Sequence, residues 1–522
     1  MYRPMKSKGT AAARSNWTAA ATVALILTLA EGCTVGPHYH APAPPTITSY
    51  TPQPQPNETV GSTGPAGSVQ HLNPSAEIPA QWWSLFQSPE LNSMVNEALQ
   101  NSPTLAQATA RLKQAHQELS ARAGATKYPS VTGNASAQEE QLNLAAYGIP
   151  LQNPSPFLLL NGSVAVSYAL DLFGANRHLI EGLRAERKYQ QWELEGARLM
   201  LAGNVVSAAI RQAELQEQIE ITRHMLEVQQ QELSIAQQRY RAGGLSDYGL
   251  RSQRTSVAQI EATLPPLEQQ RDAIHDQLAL LMGKSAAEAH IPSISLASLR
   301  LPEQLPVSLP SSLVRQRPDI RATEALLHQA SANVGVATAN QYPQIILSGS
   351  GGAIGTNFTA GGDIWNVGSS LTQPIFNGGS LRAERRKAQA AYDEAGAVYR
   401  QTVLEAFREV ADALYAIQHD AETLRARVDA ASEARAAYHI ASQRYAAGGI
   451  SHLNLLDAQR QQLQTALDCT NSTASRYADS ATLLQALGGG WWNQTHTAMP
   501  AAKPGPKASK PVPSHTSGFS LE

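Results

Sequence analysis

Residues Ile235-Ala236-Gln237-Gln238-Arg239-Tyr240-Arg241-Ala242-Gly243-Gly244-Leu245-Ser246 return as Ile440-Ala441-Ser442-Gln443-Arg444-Tyr445-Ala446-Ala447-Gly448-Gly449-Ile450-Ser451. Nine of the twelve positions are identical, at an offset of 205. Each copy closes a long stretch without proline, breaks at a Gly-Gly pair and opens a further helical pattern. A chain that makes one helical hairpin twice is built from two similar halves. Two long antiparallel hairpins suit the wall of a tube better than the cleft of an enzyme.

Upstream of the two tips, residues 175–241 and 380–447 read as helix. Each run is roughly 65 residues, about 100 Å at 1.5 Å per residue. Both carry a seven-residue beat, Val205, Gln212, Ile219, Leu226, Leu233 and Tyr240 in the first, Val410, Ile417, Leu424, Ala431, Tyr438 and Tyr445 in the second. A period of seven imposes left-handed supercoiling against neighbouring helices. The return helices are expected at 247–283 and 452–487. Pro265-Pro266 removes donors from the first of these, whereas its counterparts Thr470 and Asn471 do not. A kink is therefore predicted in one hairpin and not in the other.

Ahead of each long helix the period changes. Residues 91–127 read as helix, restarted at Ser102-Pro103 and stopped at Tyr128-Pro129, because the residue before proline is pushed out of the α region. The second half repeats the order: Arg317-Pro318, a helix to 341, then Tyr342-Pro343. Residues 163–170 then alternate, with Val164, Val166, Tyr168 and Leu170 on one face. Trp365, Val367 and Leu371 alternate in the same way against Asn366, Gly368, Ser370 and Thr372. Partner strands are expected at 129–143 and 342–353, giving four strands per chain in two hairpins. One apolar and one polar face suits a membrane barrel, but four strands cannot close one. A soluble half-buried sheet alternates identically, so the strands alone leave both readings open.

The 522 residues carry a formal charge of −2, with charged residues at 16 % and no basic stripe, which argues against a nucleic-acid partner. Cys33 and Cys469 are too few for a disulfide framework or a zinc site. Arg3, Lys6, Lys8 and Arg14 precede an apolar run from Trp17 to Ala30, the plan of a signal peptide. Ala30-Glu31-Gly32-Cys33 is similar to a lipoprotein cleavage site, with an ordinary secretory signal and a free thiol as the alternative. No other stretch offers about 18 uninterrupted apolar residues, so a membrane role would fall to strands. Residues 34–74 are rich in Pro, Ser, Thr and Gly, with little to bury, and read as an extended leader. Residues 501–522 repeat Pro, Lys and Ser.

Together these landmarks resemble the TolC-like outer-membrane factor family, in its NodT-type efflux lipoprotein branch. The resemblance rests on Cys33-Thr34-Val35-Gly36-Pro37-His38-Tyr39, Trp82-Trp83-Ser84-Leu85-Phe86 and Asp171-Leu172-Phe173-Gly174. It continues through Arg315-Gln316-Arg317-Pro318-Asp319-Ile320-Arg321, Pro374-Ile375-Phe376-Asn377-Gly378-Gly379 and Gly488-Gly489-Gly490-Trp491. It implies a mainly α fold with a β-barrel part. Three chains would each give four strands to a twelve-stranded outer-membrane barrel, and the long hairpins would form a periplasmic α-barrel. The expected division is a signal peptide at 1–32, a lipidated tether at 33–80, repeats at 81–284 and 318–492, an equatorial connector at 285–317, and a disordered tail at 493–522. The implied partners are two further copies, outer-membrane lipid, a periplasmic membrane-fusion adaptor and an inner-membrane transporter. No cofactor or metal is expected.

The same resemblance assigns an aperture near the tips. Leu453 and Asp457 match the family's constriction rings, one turn apart. Threefold symmetry would gather three Leu453 side chains into a water-excluding ring and three Asp457 carboxylates into a cation-attracting one. Arg460, Arg444 and Tyr445 are placed for closing contacts. The sequence departs from TolC at Asn454, where a second acid is usual, and at Ile450, where TolC has an arginine. A more hydrophobic gate with one carboxylate ring follows. Without the resemblance, Asp457 reads as a solvated helix residue and Leu453 as core. Gly243, Gly244, Leu245, Ser246, Gly448, Gly449, Ile450 and Ser451 would meet the adaptor, or form plain turns.

An enzyme finds no support. The run from Gly349 to Gly355 is superficially like a phosphate loop but lacks the following Lys-Ser/Thr. His38-Tyr39-His40 reads as incidental. The function expected is the exit duct of a tripartite efflux pump exporting small molecules. The alternatives are the outer-membrane arm of a type I secretion system and a periplasmic coiled-coil scaffold without a pore.

Overall fold

The computed structural model describes residues 34–493, except 54, 75, 144–145, 147, 149–154 and 358–360. The signal segment, the Cys33 lipidation site and nearly all of the tail lie outside the described residues.

Two short helices open the first half, α1 (Pro89–Asn101) and α2 (Pro103–Lys127). Ser88 caps α1 by accepting from the Leu91 amide at 3.2 Å, and proline fills the first helical position of both, where no amide is needed. Strands β2 (Ser130–Glu140) and β3 (Phe157–Leu170) follow, then the long helix α3 (Ala175–Arg241). Its return is split into α4 (Asp247–Glu261) and α5 (Leu264–Leu281). The break falls where Pro265 and Pro266 occupy the first turn of α5, as the sequence predicts.

The second half repeats the plan. A connector carrying β4 (Gln304–Pro306) and α6 (Pro310–Gln316) leads to α7 (Pro318–Ala339), β5 (Gln344–Gly355) and β6 (Gly361–Thr372). Then come α8 (Ser380–Ala446) and an unbroken return helix α9 (His452–Ala486). Both long helices are 67 residues and start behind a glycine in the left-handed region, Gly174 at φ 85° and Gly379 at φ 84°. The chain thereby turns from strand into helix without a Cβ penalty.

The four long strands form one antiparallel sheet in the order β2-β3-β5-β6. Register decides its faces. Val131 pairs with Val166, Val166 with Gly349, and Gly349 with Val367, so these four lie in one row on one face. Leu170, Ile345 and Leu371 form a second row on that face, and Gly351 beside Trp365 extends it. The opposite face carries Ser130, Ser167, Ser348 and Gly368, then Asn134, Ser163, Gly352 and Ile364. The apolar face is uncovered: Val367 is 81 % exposed, Trp365 79 % and Val131 64 %. A sheet in water would bury such a face, since each large apolar side chain gains about 1.5–3 kcal/mol on leaving it. The outer edges of β2 and β6 pair with nothing among the described residues.

Below the sheet, α3 packs on α2 and α7 in its first half and on α4, α5 and α9 further on, while α8 packs on α7 and then α9. The main core lies midway, where Trp82, Phe86, Leu91, Met94, Val205, Leu278, Leu305 and Leu313 are fully buried. Here the leader departs from expectation. It is extended, but it is clamped to the body rather than loose. Strand β1 (His71–Asn73) pairs in parallel with β4. The fully buried Arg476 of α9 donates to Ala66 O at 2.6 Å, Ser68 O at 2.8 Å and Thr59 Oγ1 at 3.0 Å. Gln70 is buried and donates to Ser480 Oγ and Pro302 O. Tyr39, read as incidental, stacks on His328 with ring centroids 4.1 Å apart. Tyr50 packs edge-on against Phe407, so backbone carbonyls and two aromatics replace the apolar surface that the leader lacks. Cys469 is half-buried, and burial pushes its thiol up, in keeping with a packed rather than reactive side chain.

Candidate aperture

The tips explain the repeat residue by residue. Helix α3 stops at Ala242, where the Gly243 amide bonds Tyr240 O at 3.0 Å and the Gly244 amide bonds Arg239 O at 2.8 Å. Helix α8 stops at Ala447 with Gly448 to Tyr445 O at 3.0 Å and Gly449 to Arg444 O at 2.8 Å. This paired bonding, with a left-handed glycine first, is the Schellman motif. The next serine caps the return helix: Ser246 Oγ accepts from the Gly249 amide at 3.2 Å, Ser451 Oγ from the Asn454 amide at 3.3 Å. The two glycines of each pair have different roles. Gly243 and Gly448 both sit at φ 74°, which other residues rarely adopt. Gly244 and Gly449 do not, and a Cβ there would approach a carbonyl oxygen no nearer than 3.6 and 3.4 Å, with the Arg444 Cβ at 4.0 Å from the second. Both lie exposed at the extreme end of the hairpins.

On α9, Leu455, Leu456 and Gln459 turn inward, and Leu453, Asn454, Asp457 and Arg460 turn outward. Leu453 is 62 % exposed, so it is not core of the single chain. Asp457 and Arg460 are both exposed and pair at 3.7 Å, one turn apart. An exposed pair of this kind contributes roughly 0–1 kcal/mol, so it holds charge in place more than it holds structure. The matching face of α4 presents Tyr248, 81 % exposed, and an Asp247–Arg251 pair at 2.7 Å.

Tyr445 and Arg444 face different tasks. The Arg444 carbonyl closes the tip turn, while its side chain is exposed. Tyr445 lies under the Arg239 guanidinium of α3 at 5.2 Å and beside the His452 ring at 5.4 Å. It therefore joins the two hairpins within one chain. Above it runs a buried polar seam that the sequence reading missed. Glu232 of α3 accepts from Gln459 of α9 at 2.5 Å and from Tyr438 of α8 at 3.4 Å. The fully buried Gln253 of α4 bonds His452. Burial pushes the Glu232 carboxyl up and the His452 ring down, so both favour their neutral forms. Gln229 is also fully buried, so uncharged amides line the inward side of three of these helices.

A sheet with an uncovered apolar face and open edges, carried on paired helical rods that end in exposed tips, fits the class of outer-membrane channels. The chain belongs to the outer membrane efflux protein family, whose model matches residues 94–284 and 309–489. It is 32 % identical over 440 residues to the pyoverdine export outer membrane protein OpmQ of Pseudomonas putida, covering 83 % of this chain and 93 % of that one. It is 29 % identical over 478 residues to the outer membrane protein OprJ of Pseudomonas aeruginosa, covering 90 % and 95 %. Among solved structures, the outer-membrane channel OprN matches with a TM-score of 0.78 at 28 % identity, over 88 % of this chain and all of that one. The Campylobacter jejuni CmeC outer membrane channel matches in fold, with a TM-score of 0.79 at 23 % identity over 88 % and 95 %. The protein is thus an outer-membrane efflux channel component with a large periplasmic portion, and not an enzyme.

Proposed function

We propose that three copies close into one passive conduit, the exit duct of a tripartite pump for small molecules. The observation that carries this is the four-stranded sheet, with its uncovered apolar face and two unpaired edges. Joining β6 of one copy to β2 of the next, three times, gives twelve strands without an edge, apolar outside and Ser-, Asn- and Gly-lined inside. The rods then hang as one periplasmic tube, and the eight tip residues from both hairpins receive the adaptor of an inner-membrane transporter. Acylation of Cys33 anchors the clamped leader at the lipid surface. Export cargo is set by the pump, and relatives of this chain are named for pyoverdine, toluene and solvent efflux.

At the aperture, three Leu453 side chains form the apolar constriction, with Asn454 beside them and three Asp457–Arg460 pairs one to two turns above. Each acid stands beside its own base, so the ring is polar with little net charge. Asp457→Ala would leave three unpaired guanidiniums. In planar bilayers, we expect higher single-channel conductance and a cation preference reduced about twofold or more, tending toward anions. Unaltered conductance and selectivity would remove Asp457 from the constriction. A deletion strain is expected to become sensitive to a panel of small apolar drugs.

A further inference from the structure

A cavity of about 930 Å³ opens where the sheet meets the helices, between the leader, the C-terminal end of α2 and the first four turns of α3. One wall is apolar, formed by Tyr168, Leu170, Leu172 and Ile180. Tyr168 and Leu170 stand in register with Leu347 and Ile345 on the uncovered apolar face of the sheet, so this wall continues the lipid-facing surface. The other wall is basic. Lys127, Arg177, Arg184, Arg187 and Lys188 line it, against the carboxylates of Asp171 and Glu181 only.

Both carboxylates are already engaged. Asp171 caps α3, accepting from the amides of Asn176 at 3.1 Å and Arg177 at 2.9 Å, and it pairs with the Arg177 side chain at 3.6 Å. Glu181 bonds His328 at 2.8 Å and His178 at 3.2 Å. Arg184, Arg187 and Lys188 have no ion-pair partner among the described residues. They stand three and four positions apart, on one face of α3. The Arg187 Nε is buried and unbonded, a donor with nothing to donate to. Thr34 also lines the cavity, and its hydroxyl accepts from Arg177 at 2.9 Å. Thr34 follows the cysteine whose acyl chains would enter the bilayer, so the basic wall faces the level of lipid headgroups.

We infer that this cavity is a binding site for an anionic phospholipid of the periplasmic leaflet, its phosphate on Arg184, Arg187 and Lys188 and its acyl chains along Tyr168 and Leu170. Basic side chains at a bilayer surface draw anionic lipid, and guanidinium forks match phosphate oxygens. A bound lipid would seal the joint between barrel and rods. The inference rests on the outer-membrane placement and on the level at which Cys33 is anchored, and not on the gate.

The test uses the mature trimer, reconstituted in nanodiscs of phosphatidylethanolamine with dilute phosphatidylglycerol, then released by mild delipidation and weighed by native mass spectrometry. Wild type should retain about one phosphatidylglycerol per chain. The triple variant Arg184→Gln, Arg187→Gln, Lys188→Gln should lose retention about tenfold while remaining trimeric in the same spectrum. A control removing three other exposed charges, Lys113→Gln, Arg254→Gln, Arg425→Gln, should bind as wild type does. A form secreted from an ordinary signal with Cys33→Ser should still bind, separating the cavity from the anchor. Retention of phosphatidylglycerol by the triple variant overturns the inference, and so does its loss from the Cys33→Ser form. Full displacement by millimolar inorganic phosphate overturns it too, marking a free-anion site instead. Bilayer conductance of the same samples reports separately on the proposed duct: a trimer that holds lipid but does not conduct fails that reading and not this one.

Discussion

Helices α3 and α8 have the same length, the same glycine start and the same tip, yet they live in different surroundings. Twenty-one residues of α3 are buried, and eight of α8 are. The first of those eight is Ala406, so nothing in the first 26 residues of α8 is fully buried, although Tyr399 and Val403 are partly covered. The reason is position in the wall. α3 is flanked on both sides, by α2, α4 and α5 on one and by α7 and α9 on the other, whereas α8 has neighbours on one side alone. Its exposed surface is not wholly polar: Leu404 is 62 % exposed and Val398 44 %. Leu280 of α5, a helix that packs on α3 and not on α8 or α9, is barer still at 73 %. In the proposed trimer, these two apolar edges would be the two halves of a contact between copies, of the heterologous kind that closes a ring. The same logic would tie the edges of β2 and β6, unpaired among the described residues, above them.

The strongest way to break this comparison is to charge the free side of α8. Val398→Asp with Leu404→Asp should abolish trimers in native mass spectrometry while leaving far-ultraviolet circular dichroism unchanged. Persisting trimers would show that this side of α8 faces solvent. The tips test whether the halves are equivalent at their shared end. Gly244→Phe and Gly449→Phe, at positions free of positive φ, should each leave trimers and conductance intact but remove drug resistance in cells. Full resistance from either variant would free that tip from adaptor contact. Packing sharpens the contrast further. Leu215→Ala in α3 should cost about 2–5 kcal/mol of stability by opening a cavity. Leu404→Ala should cost well under about 1 kcal/mol within the chain and show instead as easier dissociation on dilution.

The smallest effect concerns a carboxyl pair between α8 and α9. Burial, the hydrogen bond that its protonated form donates to Asp420, and the Asp420 charge push Asp479 up to about 7. The folded chain then holds a proton that the unfolded chain has released, so this pair favours folding at low pH. That contribution is lost as pH rises from the ordinary carboxyl range through about 7. Asp479→Asn should raise the unfolding midpoint by a few degrees at pH 8 and hardly move it at pH 4. An equal shift at both values would mean that the pair does not titrate there.

Much of this was legible from local rules. The Arg-Tyr-x-Ala-Gly-Gly-x-Ser order spells out a Schellman stop and a serine cap, because each position supplies one bond within a few residues. Tyr-Pro marks where helices end, and Pro265-Pro266 marks the split return, for the same reason. Tyr39 and Arg476 were not legible. A tyrosine in a proline-rich leader and an arginine in a helical pattern both read as exposed, and their partners, His328 and Ala66, lie hundreds of residues away. Gln253 and Gln459 were not legible either, because what they bond depends on a helix from the other hairpin.

Periodicity, caps and breakers are short-range properties of the chain, so they were enough to set the two halves, the lengths of the rods and the alternation of the strands. Which face of the sheet is apolar across all four strands came from their register. Which rod is enclosed and which is left bare came from the order of helices in the wall. Both depend on contacts between residues far apart in sequence, where a shift of one position would turn the same alternating pattern inside out.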